Sequence, residues 1–340
     1  MIERALDSVD LSADESAAVF GAIMAGSASG IETAGWLIAL RAKGVAASEV
    51  AGGARALRDA MVRVPIPDPD SLVDTAGTGG GTVTTFNVST AAAIAAAGAG
   101  ARVAKHGNRS FTSKCGSADV LEALGVEIDL RPQEMAKVLG ETGMVFMFAP
   151  NLHPAMRHVA PVRRGLGTTT VMNLLGPLSN PAGAKRQVVG VSDPAMIPLV
   201  AGALAELGCA RAMVVHGEPG MDEISPCGST RIAEIREESV AFQEIEPEEL
   251  GVERCDPAKL QGGSPAENAR SLEAVVTGEP GARRSATVLN AAAAIWAAGL
   301  VETLEKGVDA AARSLDSGDA SAVLEKLRSA GGRAGSFGAQ

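Results

Sequence analysis

The chain has 340 residues, of which 46% are hydrophobic and 21% are charged, and its formal net charge is −10. This length is enough for two domains, and the composition is typical of a soluble globular protein. Bulk binding to nucleic acid or to an anionic membrane needs a basic face, so the acidic balance argues against both. The first residues include acids and no apolar core, which argues against a signal peptide, and the most apolar stretch, 91–104, is too short to span a membrane.

The four cysteines are scattered along the sequence and include no CxxC pair. They are Cys115, Cys209, Cys227 and Cys255. This spacing argues against a zinc site and against a disulfide framework. The sequence therefore predicts a protein of the reducing cytoplasm.

Residues 1–64 are predicted to form a small all-helical domain. Ser12 and Glu15 form a capping-box pattern at the start of one helix, and Gly26 ends that helix. A second helix ends at Gly44, and a third covers about 48–61. Their apolar stripes fit either a helical core or a surface that pairs with a second copy of the chain.

A proline-rich stretch, 65–70, breaks the helical pattern and is predicted to be a linker. Over residues 71–340, short β-like runs alternate with helical stretches, which indicates an α/β domain with a mainly parallel sheet. The clearest β-like runs are 144–148, 187–191 and 212–215. The helical candidates are 117–124, 132–140, 196–207 and 285–298.

The stretch 74–125 is predicted to bind a ligand with several phosphates. A glycine-rich loop, 77–81, lets backbone N–H groups approach an anion, and Ser89 and Thr90 stand before an alanine run as favoured helix caps. Two further loops, 105–109 and 110–117, are rich in Lys, Arg, Ser and Gly. Three such loops at successive strand-to-helix turns indicate a polyphosphate site, and they match neither the dinucleotide fingerprint nor a Walker loop.

Two further groups of charged residues, an arginine pair and an acid pair, indicate ligand binding. Arg163 and Arg164 lie between a proline and a glycine-rich turn, and the planar fork of arginine suits a carboxylate. Asp222 and Glu223 follow the run 212–215, and Mg²⁺ prefers one or two carboxylates together with phosphate oxygens. The histidines have no metal-ligand spacing.

At these residues the chain resembles the anthranilate phosphoribosyltransferase family over nearly its whole length. The motifs that carry the resemblance are GTGG at 77–80, NVST at 87–90, KHGNR at 105–109, SKCGSADVLEALG at 113–125, FAPNLHPAMRHVAPVRRGLG at 148–167, NLLGPLSNPAG at 173–183 and MDEIS at 221–225. The resemblance implies the fold shared with pyrimidine nucleoside phosphorylases, with a small helical domain and a large α/β domain. It also implies a homodimer through the helical part, and a segment near 165–185 that returns to that domain.

The resemblance also implies roles for single residues. The positions where the family holds 5-phosphoribosyl 1-pyrophosphate (PRPP) are Gly77, Gly80, Gly81, Thr85, Asn87, Ser89, Thr90, Lys105 and Ser117. The positions where it holds Mg²⁺ are Ser89, Asp222 and Glu223. The positions where the family holds anthranilate are Gly77, His106, Asn108 and Arg163. The reaction is expected to depend most on Lys105, Asn108 and Arg163.

One position departs from the family pattern. The family commonly has GTGGD, and this chain has Gly81 in place of the aspartate. Loss of that carboxylate beside the donor is expected to change the demand for Mg²⁺ or the affinity for PRPP.

The sequence therefore predicts Mg²⁺-dependent transfer of the phosphoribosyl group of PRPP to the amine of anthranilate. A nucleoside phosphorylase on the same fold would need no metal, and the acid pair argues against it. A non-catalytic relative that binds nucleic acid would need a basic surface, which the net charge of −10 argues against.

Overall fold

The computed structural model describes residues 1–110, 114–237 and 239–334, with the backbone alone over 331–334. Its helices are α1 (Ile2–Leu6), α2 (Ala13–Met24), α3 (Gly30–Lys43), α4 (Ala47–Asp59), α5 (Val88–Gly98), α6 (Ser117–Ala123), α7 (Pro132–Thr142), α8 (Ala149–Leu152), α9 (Ala160–Leu166), α10 (Met172–Leu175), α11 (Met196–Glu206), α12 (Pro265–Val276), α13 (Ala282–Ala297), α14 (Leu304–Asp316) and α15 (Asp319–Ala334). Its strands are β1 (Leu72–Gly77), β2 (Arg102–Gly107), β3 (Met144–Phe148), β4 (Arg186–Gly190), β5 (Arg211–Gly217), β6 (Thr230–Arg236) and β7 (Ser239–Ile245). Short 3-10 helices cover Pro69–Ser71, Pro154–His158, Pro247–Leu250 and Pro257–Leu260.

The seven strands form one sheet in the order β3-β2-β1-β4-β5-β6-β7. The first five are mutually parallel, whereas the β5–β6 and β6–β7 pairs are antiparallel. The predicted fold class, a small helical domain with an α/β domain and a mainly parallel sheet, is confirmed.

The observed strands extend beyond two of the predicted runs. The run 144–148 coincides with β3, but β4 begins one residue before the predicted 187–191, and β5 extends past 212–215 at both ends. The residues added to β5 include the polar Arg211 and His216, which pair with Arg236 and Arg231 of the neighbouring strand β6. Backbone pairing in a sheet does not need an apolar side chain, so an apolar pattern underestimates strand length.

The N-terminal helices begin and end where local chemistry predicts. The backbone N–H of Glu15 donates to Ser12 Oγ at 3.2 Å and that of Ser12 donates to Glu15 Oε2 at 3.0 Å, which confirms the capping box of α2. Gly44, with a φ of 89°, follows α3 and ends it as predicted. A second capping box, Ser29 with Glu32, starts α3.

Residues of the middle of the chain lie against these helices. Arg41 donates to Thr169 Oγ1 at 2.6 Å, and Arg58 Nε donates to the carbonyl of Leu178 at 2.8 Å. A Cβ on Gly53 would lie only 3.0 Å from Leu175, so α10 packs closely on α4. The chain thus crosses from the sheet to the helical domain and back before β4.

Two hydrophobic cores lie on opposite faces of the sheet. On β4, Val188 belongs to the core with α5 and α13, whereas Val189 belongs to the core with α11 and the N-terminal helices. Because successive strand residues point to opposite faces, one strand serves both cores. The loops lie at the carboxyl edge of the sheet, where the parallel strands end.

The cysteines that are scattered in the sequence are not all apart in the fold. Cys227 Sγ and Cys255 Sγ lie 3.4 Å from each other, both as free thiols. The long loop 246–263 brings Cys255 back beside the turn after β5, a contact that sequence spacing does not reveal. Within the described part of the chain, no helix is both long and apolar enough to cross a membrane.

Candidate active site

Four neighbouring parallel strands each end in a glycine, and the site forms over these ends. The glycines are Gly107 of β2, Gly77 of β1, Gly190 of β4 and Gly217 of β5. A Cβ on Gly77 would lie 2.8 Å from Asp222 Oδ2, and a Cβ on Gly190 would lie 1.7 Å from the carbonyl oxygen of Asp222. The loops can therefore rest directly on the strand ends only because no side chain is present there.

The sequence prediction did not include Gly190 and Gly217. The signal that could have found them is a glycine directly after each apolar strand run. The chain order reverses between β1 and β4, so Gly77 and Gly190 lie side by side at the topological switch point of the sheet. Open α/β sheets bind their ligands in the crevice at this place.

The acid pair lies over this crevice. Asp222 Oδ2 accepts a hydrogen bond of 3.1 Å from the backbone N–H of Gly79, which ties the glycine-rich loop to the acid loop. Burial and then the charge of Asp222 raise the pKa of Glu223 to about 8, against the opposing effect of the Lys105 charge. Burial also raises the pKa of Asp222. Two crowded, poorly hydrated carboxylates favour a cation beside them.

Lys105 brings a buried positive charge to the same place. Its side chain is 98% buried, and Nζ donates to the carbonyl of Thr75, to Thr75 Oγ1 at 3.2 Å and to Ser89 Oγ at 3.3 Å. Burial lowers the pKa of Lys105, while the nearby charges of Asp74 and Glu223 raise it. Strand β2 thus points an ammonium group at the beginning of α5.

The first turn of α5 lies at this ammonium group. The sequence prediction placed Ser89 and Thr90 ahead of the helix as caps, but α5 begins at Val88 with Asn87 as the N-cap. Ser89 and Thr90 therefore lie inside the first turn. The N–H of Val88 donates to the carbonyl of Phe86 and that of Thr90 donates to the carbonyl of Asn87. The N–H of Ser89 donates to the Glu223 carboxylate, so the start of α5 is joined to the acid pair. Among the described residues, none hydrogen-bonds to the buried Thr90 Oγ1.

Asn87 ties two loops together within the protein. Its Nδ2 donates to the carbonyl of Cys115 at 3.2 Å, and its Oδ1 accepts from Asn268 Nδ2 at 2.9 Å. Its amide group is therefore already engaged. This geometry favours a supporting role for the side chain of Asn87, whereas the resemblance places it among the PRPP ligands.

The glycine-rich loop lies against the turn that follows β5. Gly79 and Gly80 have φ values of 65° and 86°, which other residues rarely adopt. The backbone N–H of Thr82 donates to the carbonyl of Gly220 at 2.9 Å. A Cβ on Gly81 would lie 2.9 Å from that same carbonyl oxygen, so the absence of a side chain at position 81 fits the close approach of the two loops.

Farther along the same connection, Thr85 pairs with Gln261 through an isolated β-bridge. The segment 77–87 is thus held at Asp222, at Gly220 and at Gln261. Gly79 and Gly80 of this segment are exposed.

The three predicted loops form two connections. Lys105 and His106 belong to β2 itself, so 108–110 and 114–116 are described parts of the single β2–α6 connection, and 111–113 lie outside the described residues. Ser117, the first residue of α6, donates from Oγ to the carbonyl of Asn108 at 3.3 Å. Since β1 and β2 are neighbours, the two connections meet at one edge of the sheet.

Two buried histidines, His106 of β2 and His153 after α8, lie against each other. His106 Nε2 and His153 Nε2 are 3.1 Å apart, so one donates to the other as neutral imidazoles. Burial, with the His153 charge second, lowers the pKa of His106 to about 3, and burial lowers the pKa of His153 to about 4. Asp74 Oδ1 accepts from the backbone N–H of His106 at 3.1 Å, which fixes the strand at this point.

Arg163 lies on the short helix α9. Its side chain is half-buried, and burial lowers its pKa. Within residues 1–110, 114–237 and 239–334, no carboxylate or other acceptor binds its guanidinium. Arg164 is exposed, so the two adjacent arginines differ in their surroundings.

Two family models match the chain. A helical bundle domain of the glycosyl transferase family matches residues 1–61, and the a/b domain of that family matches residues 69–321. Over 328 residues the chain is 46% identical to the anthranilate phosphoribosyltransferase of Symbiobacterium thermophilum, which covers 96% of each sequence. The chain belongs to the anthranilate phosphoribosyltransferase family.

Solved structures of the family superimpose on nearly the whole chain. The Thermus thermophilus protein is 42% identical with a TM-score of 0.91, covering 97% of this chain and 98% of its own. The Saccharomyces cerevisiae protein in complex with PRPP and Mg is 28% identical with a TM-score of 0.86, covering 95% and 94%. The same yeast protein has also been solved with 4-fluoroanthranilate, with a TM-score of 0.84.

Proposed function

We propose that this protein transfers the phosphoribosyl group of PRPP to the amine of anthranilate, releasing pyrophosphate. The observation that carries the proposal is the meeting of Lys105, the first turn of α5 and the acid pair at the switch point of the sheet. A buried ammonium, the positive end of the α5 dipole and two carboxylates suit a ligand that is both polyphosphorylated and metal-bound. The family to which the chain belongs carries out this chemistry.

PRPP is proposed to bind to the donor half of the site. We define the donor half as the glycine-rich loop with Ser89, Lys105, Asp222 and Glu223. Thr85, Thr90 and Ser117 border it. Lys105 would offset the charge that develops on the leaving pyrophosphate, and the positive end of the α5 dipole would attract a phosphate.

The acid pair is the proposed place for Mg²⁺. Among the described residues, no group of three or more His, Cys, Asp or Glu could hold a metal ion, so Asp222, Glu223 and Ser89 would share the ion with phosphate oxygens. Burial and then the charge of Asp222 raise the pKa of Glu223, and a cation held by the two acids would offset both effects. When bound, Mg²⁺ would neutralise charge on the pyrophosphate.

Anthranilate is proposed to bind to the acceptor half, which we define as Asn108 and Arg163, with His106 and Gly77 at its border. The guanidinium of Arg163 would hold the carboxylate through two parallel hydrogen bonds and direct the adjacent amine at C1 of the ribose. The neutral pair His106–His153 would line the floor without adding charge.

The reaction is a substitution at C1. The bond between C1 and the pyrophosphate oxygen breaks, and the bond between C1 and the anthranilate nitrogen forms. The nitrogen then releases one proton, which the departing pyrophosphate or water takes up. An aromatic amine is already nucleophilic, so holding it in line contributes more than a strong base does.

The helical domain is proposed to form a homodimer. Leu6 on α1 and Ile31 and Ile38 on α3 are exposed, and Ile31 and Ile38, seven residues apart, share one face of α3. An exposed apolar face of this kind is typical of a protein contact. Light scattering of the purified protein tests this. The cytoplasmic setting and the lack of nucleic-acid binding stay predictions from composition.

The activity can be followed through the fluorescence of anthranilate. We expect its consumption only when PRPP and Mg²⁺ are both present. A folded protein that consumes no anthranilate would refute the proposal. Phosphorolysis of thymidine or uridine without Mg²⁺ would instead favour a nucleoside phosphorylase, and tight oligonucleotide binding at moderate salt would favour a nucleic-acid-binding relative.

A further inference from the structure

The loop that carries Asp222 and Glu223 is held from the interior by a side chain of helix α13. We infer that this side chain, Asn290, is a positioning residue that sets the geometry of the acid pair for a divalent cation, an inference that rests on the proposed function of the site. Asn290 lies 66 residues after Ile224 in the sequence, and no sequence motif discussed above includes it.

Asn290 binds both polar backbone groups of the residue that follows the acid pair. Its Oδ1 accepts from the N–H of Ile224 at 2.9 Å, and its Nδ2 donates to the carbonyl of Ile224, also at 2.9 Å. The second hydrogen of Nδ2 goes to the carbonyl of Ala286 in the same helix, at 2.9 Å. Both donors and the acceptor of the amide are therefore engaged, and Asn290 is only 3% exposed.

This pattern fixes the orientation of Glu223. The N–H of Ile224 belongs to the same peptide plane as the carbonyl of Glu223, so a fixed Ile224 limits how the backbone of Glu223 can rotate. On the other side, Gly190 leaves room for the carbonyl of Asp222, which would lie 1.7 Å from a Cβ there. The acid pair is thus held between a strand end and α13.

A support of this kind is needed because the two carboxylates repel each other. When both acids ionise to bind a cation, the loop could relieve that repulsion by turning one carboxylate away. The bonds from Asn290 oppose such a rotation, so the site is formed before the cation arrives. Residues that orient metal ligands in this way typically change metal affinity when they are replaced.

The test is Asn290→Leu, which keeps the size of the side chain and removes the amide. Binding of Mn²⁺ alone, without PRPP, is measured by electron paramagnetic resonance of the free ion. We expect the Kd for Mn²⁺ to rise about ten- to a hundredfold. Amide hydrogen exchange should become faster at 222–225 and stay unchanged at the other strand ends.

The matched control is Ser314→Ala. Ser314 Oγ donates to the carbonyl of Ala95 at 2.8 Å, a buried bond between two helices away from the acid loop. Ser314→Ala should lower the Tm and leave the Mn²⁺ affinity at the wild-type value. In steady-state assays, Asn290→Leu should raise the Mg²⁺ concentration for half-maximal rate and leave the KM for anthranilate unchanged.

A second variant keeps the test decisive if Asn290→Leu does not fold. Asn290→Asp retains the acceptor for the N–H of Ile224 and loses both donors, so its Mn²⁺ affinity should also fall. The inference is overturned if the Asn290 variants bind Mn²⁺ as the wild type does, if Ser314→Ala weakens binding equally, or if the wild type binds no Mn²⁺. The Mn²⁺ and exchange measurements need neither PRPP nor anthranilate, so a failure of the proposed reaction would be seen separately.

Discussion

The donor half and the acceptor half of the site are built in different ways. In the donor half, Lys105 is buried with partners on two other segments, and Asp222 is bonded to the glycine-rich loop. In the acceptor half, the guanidinium of Arg163 extends from a helix of seven residues and has no acceptor in the part of the chain that the structure describes. The donor half is integrated with the core, whereas the acceptor half offers an unpaired group to a ligand.

This difference should separate stability from activity. A change in the donor half removes contacts that the fold itself uses, so it should affect both the free energy of unfolding and the rate. A change in the acceptor half should affect catalysis alone. The experiments below test this separation, beginning with the largest expected effect.

Lys105→Met should give the largest loss. Removing the ammonium takes away the group proposed to face the leaving pyrophosphate, and the loss in kcat/KM should be about a hundred- to a thousandfold. Leaving the buried carbonyl of Thr75 without its donor, and Asp74 and Glu223 without the nearby charge, should also lower the free energy of unfolding by about 1–3 kcal/mol. Steady-state rates with PRPP and chemical denaturation measure the two effects.

Lys137→Met is the control for this substitution. Lys137 is exposed on α7 and lies 3.8 Å from the exposed Glu141, so both measurements should stay at the wild-type value. If Lys105→Met changes the rate and leaves stability unaltered, the donor half is not integrated with the core as we describe.

Arg163→Ala should weaken the use of anthranilate and leave the fold intact. Loss of a charged hydrogen-bonding partner for the carboxylate is worth about 1.5–3 kcal/mol, or roughly ten- to a hundredfold in kcat/KM for anthranilate. PRPP binding and the Tm should change little. Arg164→Ala, at the exposed neighbour, should cost distinctly less. Equal effects of the two substitutions, or a loss confined to PRPP binding, would contradict the assignment.

The buried pair His106–His153 should make the fold sensitive to acid. Both histidines have pKa values well below the ordinary 6.5, about 3 for His106 and about 4 for His153. As the pH falls below 6.5, the unfolded chain gains protons that the folded chain does not, so stability decreases. Each histidine should contribute up to about 1.4 kcal/mol per pH unit between its unfolded and folded pKa values.

His153→Gln tests this pH dependence. Denaturation curves at several pH values between 6.5 and 4.5 should show a shallower loss of stability than in the wild type, because one of the two groups no longer titrates. The difference between the two proteins isolates the histidine contribution, since the remaining acids are common to both. Parallel curves would mean that the pair is not neutral in the folded protein.

The sequence was informative wherever the cause of a structure is local. The capping box of Ser12 and Glu15 and the helix end at Gly44 depend on neighbours along the chain, and both were predicted. The sequence motifs assigned the phosphate-binding loops and the acid pair to the site of one family. In the structure, these residues lie close together. Their residue roles stay predictions until a ligand is bound.

The sequence did not predict contacts between residues that are far apart along the chain. Asp74 binds Asn180 across 106 residues, and Asn290 binds Ile224 across 66, and neither pairing leaves a periodic or spaced signal. The start of α5 was misplaced because Ser89 and Thr90 are good caps, yet Asn87, held by Asn268, occupies that position. Tertiary contacts decided between equally good local choices.

Gly81 should show the smallest effect, and it concerns the loop where the donor half is most exposed. A Cβ at this position would lie 2.9 Å from the carbonyl oxygen of Gly220 and 3.4 Å from Asp222 Oδ1. Gly81→Ala should therefore lower the free energy of unfolding by about 1 kcal/mol, as a slight overpacking does.

Gly81→Asp, which restores the common family residue, should lower the free energy of unfolding further in metal-free buffer, since its carboxylate would face that of Asp222. The additional loss of stability in Gly81→Asp, relative to Gly81→Ala, should become smaller when Mg²⁺ and PRPP are added, because a cation offsets the repulsion. Thermal denaturation of both variants, with EDTA and with Mg²⁺ and PRPP, measures this additional loss. If Mg²⁺ and PRPP do not reduce it, position 81 does not face the cation.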